Sequence, residues 1–176
     1  MMDYYILAIN PGSTSTKLGV YQNENLIFQE TVDHTNEQLA AATGLREQFD
    51  MRLAVIHQVL ESRGFEASRL SAVVGRGGQL PPVHSGAYLV NEEMKKRIIK
   101  GPIVAHASNL GALLAAAMAK PYEIPAMIYD AVSSDEMRPV AKITGIPSVV
   151  RQSFCHVLNT KAMGRKAAAS QGKRYE

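Results

Sequence analysis

The first part of the chain carries short apolar runs that are separated by turn residues. The runs cover residues 4–9, 18–21 and 26–32, and Asn23-Glu24-Asn25 lies between the second and the third. Short apolar runs with turn residues at their ends are typical of β-strands. The pattern therefore predicts a meander of three strands that are joined by hairpins.

From residue 45 onward the apolar spacing becomes helical. Apolar residues recur at every third or fourth position, as a single buried helix face requires: Leu45, Phe49, Leu53, Ile56 and Leu60. This spacing predicts a helix that ends near Gly64. A fourth strand is predicted at residues 72–74. It is broken by Gly75-Arg76-Gly77-Gly78, where glycines permit a sharp turn or a close approach to a ligand.

Helices and strands alternate in the second half of the chain. Asn91 is predicted to cap a helix that ends at Gly101-Pro102, and the charges of this helix form a solvated face. Another helix is predicted to begin near Pro102, with a buried stripe of apolar residues: Ile103, Ala107, Leu110, Leu114 and Met118.

The remaining elements follow from shorter signals. Residues 126–129 are predicted to form a buried strand, residues 147–150 to begin another, and residues 161–170 to form the last helix. Asn10, Arg76 and Asp130 then lie at or just beyond the carboxyl ends of strands, which is the edge where open α/β sheets bind ligands. For Asp130 a helix cap or a loop position is the alternative, because Ser133-Ser134-Asp135 follows it.

The segment Asn10-Pro-Gly-Ser-Thr-Ser-Thr-Lys17 is the strongest candidate for chemistry. It lacks the second glycine of a Walker A loop, G-x-x-x-x-G-K-[ST], and it joins two strands instead of opening a helix. Its hydroxyls, its backbone N–H groups and the charge of Lys17 are suitable donors for phosphate. We predict a strand-turn-strand phosphate loop. An ordinary polar hairpin is the alternative.

Composition narrows the class of protein. The 176 residues suit one domain with a proper core, and the 19 basic and 16 acidic residues are spread along the chain, so no nucleic-acid surface is predicted. Cys155 is the only cysteine, which excludes an internal disulfide and suits a reducing compartment. Neither a signal peptide nor a membrane span is recognisable, so we predict a cytoplasmic protein without membrane contact.

Five segments, in order along the whole chain, resemble the acetate and butyrate kinase family: residues 10–17, 74–78, 105–106, 129–130 and 154–161. The resemblance implies an α/β, ribonuclease-H-like (actin-like ATPase) domain, with three antiparallel strands followed by alternating helices and parallel strands. We expect this domain at residues 1–147 and the beginning of a second domain at 148–176. In the family, the second domain supplies the adenosine pocket, so the chain resembles an N-terminal half.

The resemblance also implies roles for individual residues around the phosphate loop. Asn10 and Lys17 would contact phosphates or bound Mg²⁺, and Asn10 is the expected metal contact. Gly12, Ser13 and Thr14 would line the loop and bind the phosphates of ATP.

Four further residues receive roles from the resemblance. Arg76 would hold the acyl carboxylate or the phosphoryl group, and His106 would line the acyl end of the cleft. Asp130 would orient a substrate or a metal-bound water, and His156 would stabilise charge on the phosphoryl group. Apart from the resemblance, His106 equally fits a helix histidine bonded to a carbonyl. Val83, Tyr88 or the segment after Gly101 would line the acyl pocket.

The implied reaction is transfer of the γ-phosphoryl group of ATP to butyrate or a related short-chain fatty acid. Val157-Leu158-Asn159-Thr160 and the short Gly75–Gly78 segment both differ from acetate kinase and favour the butyrate branch. The alternatives are a non-catalytic phosphate-binding module and an inactive fragment. We expect little activity from this chain alone, and a homo-oligomer in the full-length family.

Overall fold

The computed structural model describes residues 3–101 and 107–175. Six strands form one mixed sheet: β1 (Tyr5–Pro11), β2 (Ser15–Gln22), β3 (Asn25–Asp33), β4 (Ala72–Arg76), β5 (Tyr88–Leu89) and β6 (Ala126–Tyr129). The helices of the described residues are α1 (Asn36–Ala41), α2 (Leu45–Ser62), α3 (Glu92–Ile99), α4 (Leu110–Ala119) and α5 (Val157–Ser170).

The sheet has the strand order β3-β2-β1-β4-β6-β5. The first three strands are antiparallel, as the meander predicts, and β1, β4 and β6 run parallel to one another. The short strand β5 pairs antiparallel with β6 at the edge. This topology confirms the predicted α/β fold of three antiparallel strands followed by parallel ones.

The chain forms two compact units. The first contains Met1–Gln79 and Ala87–Tyr129, and with them the whole sheet and helices α1 to α4. The second contains Leu80–Gly86 and Asp130–Glu176, with a short 3₁₀ helix at Pro139–Lys142 and helix α5. The expected domain boundary at residue 147 stays a prediction.

The core of the first unit lies between the sheet and helices α2 and α4. Buried side chains come from β1 and β2, from α2 and from α4: Leu7, Ile9, Leu18, Val20, Ile56, Leu60, Leu114 and Met118. Phe49 and Leu53 pack against this cluster while partly buried. The predicted apolar face of α2 is therefore confirmed. One charged residue of this helix, Arg52, is also fully buried.

Gly75 within β4 and Gly78 after it pack closely against α4 and the residue before it. The predicted break at Gly75 is wrong, because β4 continues through Gly75 and Arg76. A Cβ atom at Gly75 would lie 2.0 Å from the carbonyl oxygen of Gly111 in α4, and one at Gly78 would lie 2.2 Å from Oδ1 of Asn109. Glycine is needed here because the helix backbone approaches the strand so closely.

Two other predictions about the elements are wrong. Residues 147–150 form no strand, since Val149 and Val150 are exposed and the Thr144 hydroxyl donates to the carbonyls of Ile146 and Val149 within a turn. Helix α5 begins at Val157, before the predicted residue 161. Helix α1 and strand β5 were not predicted. The helix start near Pro102 lies outside the described residues.

Helix α3 agrees with its prediction. The side chain of Asn91 accepts a hydrogen bond from the backbone N–H of Met94 at 2.8 Å, and the helix ends before Gly101, whose φ is +115°. Among the described residues, none of the helices is both long enough and apolar enough to span a membrane.

Candidate phosphate-binding site

The segment from Asn10 to Lys17 is the tip of the β1-β2 hairpin. Asn10 pairs with Lys17 and Pro11 with Thr16, so only Gly12, Ser13 and Thr14 lie between the strands. The predicted strand-turn-strand geometry is confirmed. Because directly paired residues of antiparallel strands point to the same face, the partly buried Asn10 and the exposed Lys17 stand together on one face of the hairpin.

The carbonyl groups of Ser13, Thr14 and Ser15 accept hydrogen bonds from within the protein. The backbone N–H of His34 donates to the Thr14 carbonyl at 2.8 Å, and the backbone N–H of Gly12 donates to the Ser15 carbonyl at 2.8 Å. Arg52 donates to the carbonyls of Ser15, at 2.8 Å, and of Ser13, at 3.5 Å.

The hydrogen-bond donors of Ser13 and Thr14, unlike their carbonyls, are not used among the described residues of the protein. In the described part of the chain, the backbone N–H groups and the hydroxyls of Ser13 and Thr14 have no hydrogen-bond acceptor. Both residues are exposed. Carbonyls held inside and donors left accessible are the arrangement that an anion-binding turn requires.

Arg52 is the centre of a polar network beneath this turn. Its Nη1 donates to the hydroxyl of Thr16 at 2.9 Å, and its Nε donates to Oε1 of Gln48 at 3.1 Å. His34 Nε2 lies 2.8 Å from the Thr16 hydroxyl and 3.3 Å from Nη1 of Arg52. Since the guanidinium is only a donor, Nε2 is the acceptor, which assigns the proton of neutral His34 to Nδ1.

Burial shifts the pKa values of both cationic groups in this network. Burial, and then the charge of Arg52, hold the pKa of His34 below its ordinary value, with Asp33 acting in the opposite direction. Burial also lowers the pKa of Arg52. At neutral pH we therefore assign His34 as neutral and Arg52 as the single charge of the network.

Sequence reasoning missed Arg52. Its signal is present, because residue 52 lies three positions after Phe49 and four before Ile56, on the apolar stripe of α2. A charged residue on a buried stripe requires partners, and these come from the hairpin tip.

Asn10 and Arg76 are neighbours at the carboxyl ends of two central strands of the sheet. Strands β1 and β4 are parallel with Ile9 opposite Gly75, so the next residues, Asn10 and Arg76, lie side by side at the carboxyl ends. Asp130 follows β6 directly and has a φ of 56°. The predicted placement of Asn10, Arg76 and Asp130 at strand ends is confirmed, while their chemical roles stay predictions.

Asp130 and His156 are in contact within the second unit. Oδ1 of Asp130 accepts from the backbone N–H groups of Leu158 and Asn159, at 3.0 and 3.1 Å. Nδ1 of His156 lies 2.8 Å from the Asp130 carbonyl and 3.2 Å from Oδ2. Both neighbours are acceptors, so Nδ1 carries the proton and Nε2 is the nitrogen left for another partner. Asp130 thus caps α5, as its alternative reading proposed.

An open cavity of about 400 Å³ adjoins the turn in the first unit. Its apolar lining comes from α2, α3 and α4: Leu45, Ile98, Ile99 and Leu110. Polar side chains line the remainder: Ser13, Thr43, Gln48 and Asn109. Gly101 and Ala107 also line the cavity, and an acyl pocket formed by the segment after Gly101 stays a prediction. His106, the predicted acyl-end residue, lies outside the described residues.

Comparison with known proteins gives relatives along the whole chain. It is 48% identical over 175 residues to a protein of Listeria monocytogenes named probable butyrate kinase, and 44% identical to one of Clostridium botulinum with the same name. Each match covers 99% of this chain and 49% of the relative. The chain thus spans about half the length of the curated relatives it matches. No protein-family model matches it.

Solved structures have the same fold. A propionate kinase of Francisella tularensis has a TM-score of 0.63 at 16% identity, over 97% of this chain and 50% of its own. An acetate kinase of Porphyromonas gingivalis has a TM-score of 0.58 at 13% identity, over 98% of this chain and 50% of its own.

The fold is therefore that of the acetate and propionate kinases, which is the actin-like ATPase fold. Within this class, sequence identity relates the chain to the proteins named butyrate kinase. The predicted family resemblance is confirmed.

Proposed function

We propose that this chain supplies the phosphate-binding half of an acyl kinase, which transfers the γ-phosphoryl group of ATP to butyrate or a related short-chain acid. The observation that carries the proposal is the hairpin turn at Gly12–Thr14: Arg52 and His34 hold the carbonyls of Ser13 and Thr14, while the N–H groups and hydroxyls of these two residues are accessible. The relationship to proteins named butyrate kinase supports the same reaction class.

The proposed reaction type calls for cations and N–H donors at the transferring phosphoryl group. A carboxylate acceptor is already ionised at neutral pH, so catalysis does not require a strong base. The main obstacle is to bring one anion onto another, and fixed positive charges lower it. We assign this role to Lys17 and Arg76 of the first unit and to His156 of the second in its protonated form, in which Nε2 also carries a hydrogen and can donate.

The residues present fit the phosphates of ATP better than they fit Mg²⁺. The accessible donors of Ser13 and Thr14 fit phosphate oxygens. Among the described residues, no cluster of three or more His, Cys, Asp or Glu side chains is placed to hold a metal. Mg²⁺ commonly binds through nucleotide phosphates and few protein ligands, so we assign to it only Asn10. When bound, it would neutralise charge on the transferring phosphoryl group.

The cavity beside Ser13 is a candidate pocket for the acyl chain. Its apolar wall from Leu45, Ile98 and Leu110 suits a short hydrocarbon chain, and its volume of about 400 Å³ is typical of ligand pockets. Each methylene is worth roughly 1–3 kcal/mol of discrimination in such a pocket, so we expect graded preference among short acids.

The single, exposed Cys155 suits a reducing compartment. The cytoplasm is therefore the location that we propose.

The proposal is tested by ligand binding to the purified chain. Pyrophosphate should raise the melting temperature by mass action, and Lys17→Ala should remove most of this rise, because Lys17 is an exposed cation beside the turn. Lys96→Ala is the matched control, since Lys96 is an exposed lysine of the same unit on α3. Butyrate should add a further rise when pyrophosphate is present.

Two outcomes would contradict the proposal. An unchanged melting temperature of the unmodified chain in pyrophosphate would exclude an anion site at the turn. Equal responses of Lys17→Ala and Lys96→Ala would show that any binding takes place elsewhere.

A further inference from the structure

Arg52 is a fully buried cation whose partners are neutral. Every hydrogen bond that it makes goes to a carbonyl, an amide, a hydroxyl or an imidazole, and no carboxylate oxygen lies within 4 Å of its guanidinium in the described part of the chain. Buried charges are normally paired with an opposite charge, because desolvation is costly. This unpaired charge therefore requires an explanation.

We propose that Arg52 is a positioning residue that holds the turn Gly12–Thr14 in its anion-binding conformation and supplies a buried positive charge behind it. The proposal rests on the proposed function, since it assigns the anion to the same turn.

The geometry supports positioning. One guanidinium binds the carbonyls of Ser13 and Ser15, which lie on either side of Thr14, and the hydroxyl of Thr16. Holding these carbonyls inward leaves the N–H groups of Ser13 and Thr14 for a ligand. The rigid fork of an arginine satisfies several acceptors at once, which the single ammonium group of a lysine cannot match.

Arg52 is itself fixed by its own helix. Gln48, one turn earlier on α2, accepts from Nε of Arg52 at 3.1 Å and donates through its own Nε2 to the Ala42 carbonyl at 2.7 Å. His34 and Thr16 close the other side of the guanidinium. The turn is thereby tied through Arg52 to helix α2 of the core.

The charge also matters for affinity. Because its partners are neutral, the full positive charge of Arg52 acts on the exposed turn from a buried position behind it. Electrostatic attraction is stronger and less screened by salt there than at an exposed lysine. A phosphate group at Ser13 and Thr14 would supply the missing counter-charge.

Calorimetric titration with pyrophosphate tests the proposal. Arg52→Met keeps an unbranched apolar stem without the guanidinium and its charge, and should weaken binding about tenfold or more, as loss of charged hydrogen bonds does. Arg52→Lys keeps the charge but not the forked guanidinium. Its affinity for pyrophosphate should lie between those of the unmodified chain and Arg52→Met. Arg46→Met, an exposed position on the same helix, should leave affinity within about twofold.

A measurement on the unmodified protein covers the case in which Arg52→Met does not fold. The Nε–H resonance of Arg52 should shift in NMR spectra as pyrophosphate is added, with the same dissociation constant as the amides of Ser13 and Thr14. Arg63, which lies on the surface at the end of α2, should not respond. A purely structural Arg52 would give no such response.

The outcomes separate this inference from the proposed function. Pyrophosphate binding that depends on Lys17 but is unchanged in the Arg52 variants, and that does not shift the Arg52 resonance, would show that the proposed role of Arg52 is wrong. The anion site at the turn would still stand. If the unmodified chain does not bind pyrophosphate, both fail.

Discussion

Substitution of Gly111 by alanine tests the contact between α4 and β4 most directly. Gly111 is the second residue of α4, and a Cβ atom there would lie 2.2 Å from the carbonyl oxygen of Arg76. Ordinary contacts of a Cβ atom begin at about 3.4 Å. Because the opposing atom belongs to the backbone of β4, no side-chain rotation can relieve the clash, and the helix must move away from the strand.

Two effects of this substitution oppose each other. Replacing glycine by alanine within a helix stabilises it by up to about 1 kcal/mol. Overpacking a well-packed contact costs about 1–3 kcal/mol, and a displacement of more than 1 Å belongs at the upper end of this range. The clash should therefore prevail, and we expect the free energy of unfolding to fall by about 2 kcal/mol.

Urea unfolding followed by circular dichroism measures this change. Gly145→Ala is the control, because nothing lies within 4 Å of the added Cβ and the φ of Gly145 is not positive; its free energy of unfolding should change by less than about 0.5 kcal/mol. If Gly111→Ala is as stable as the unmodified chain, or more stable, helix propensity outweighs the contact and the close packing of α4 on β4 is wrong.

Two further predictions concern hydrogen-bonded groups. Because burial and then Arg52 lower the pKa of His34 from 6.5, the unfolded chain binds more protons as the pH falls through 6.5. The free energy of unfolding should therefore decrease below that pH, and this decrease should be smaller in His34→Gln. The free energies are measured by urea unfolding at several pH values, and the same pH dependence in both proteins would contradict the prediction. Asp130→Ala should destabilise the first turn of α5 by about 1–2 kcal/mol, since it removes the acceptor of Leu158 and Asn159. Hydrogen exchange of these two amides should become faster, and unchanged exchange would exclude the cap.

Elements defined by local patterns could be predicted from the sequence. Strand β6 was predicted with its observed bounds, and the hairpins followed from the turn residues at their tips. The turn at Gly12–Thr14 could be assigned as a candidate anion site because hydroxyls, glycine and Lys17 are adjacent in the chain. In each of these cases the decisive information lies within a few residues.

Features that depend on distant partners could not be predicted in this way. The run Val149-Val150 favours a strand by propensity, but in the described part of the chain no neighbouring strand pairs with it, and a turn forms instead. Helix α5 starts earlier than its sequence indicates because Asp130, 28 residues before Leu158, caps it. The sequence places Arg52 on the apolar stripe of α2, but its contacts with Ser13 and Ser15 can be recognised only in the folded structure.

Lys17 of β2 and Arg52 of α2 lie on opposite faces of the hairpin, so the two cations complement each other. Successive strand residues alternate in direction, so Lys17 points away from the face on which Thr16 contacts Arg52. Lys17 is exposed, and its attraction for an anion is weakened by water and salt. Arg52 is protected from both, at the cost of desolvation. Replacing it with an apolar residue would remove that cost, so its presence is better explained by the conformation and charge of the turn than by stability alone.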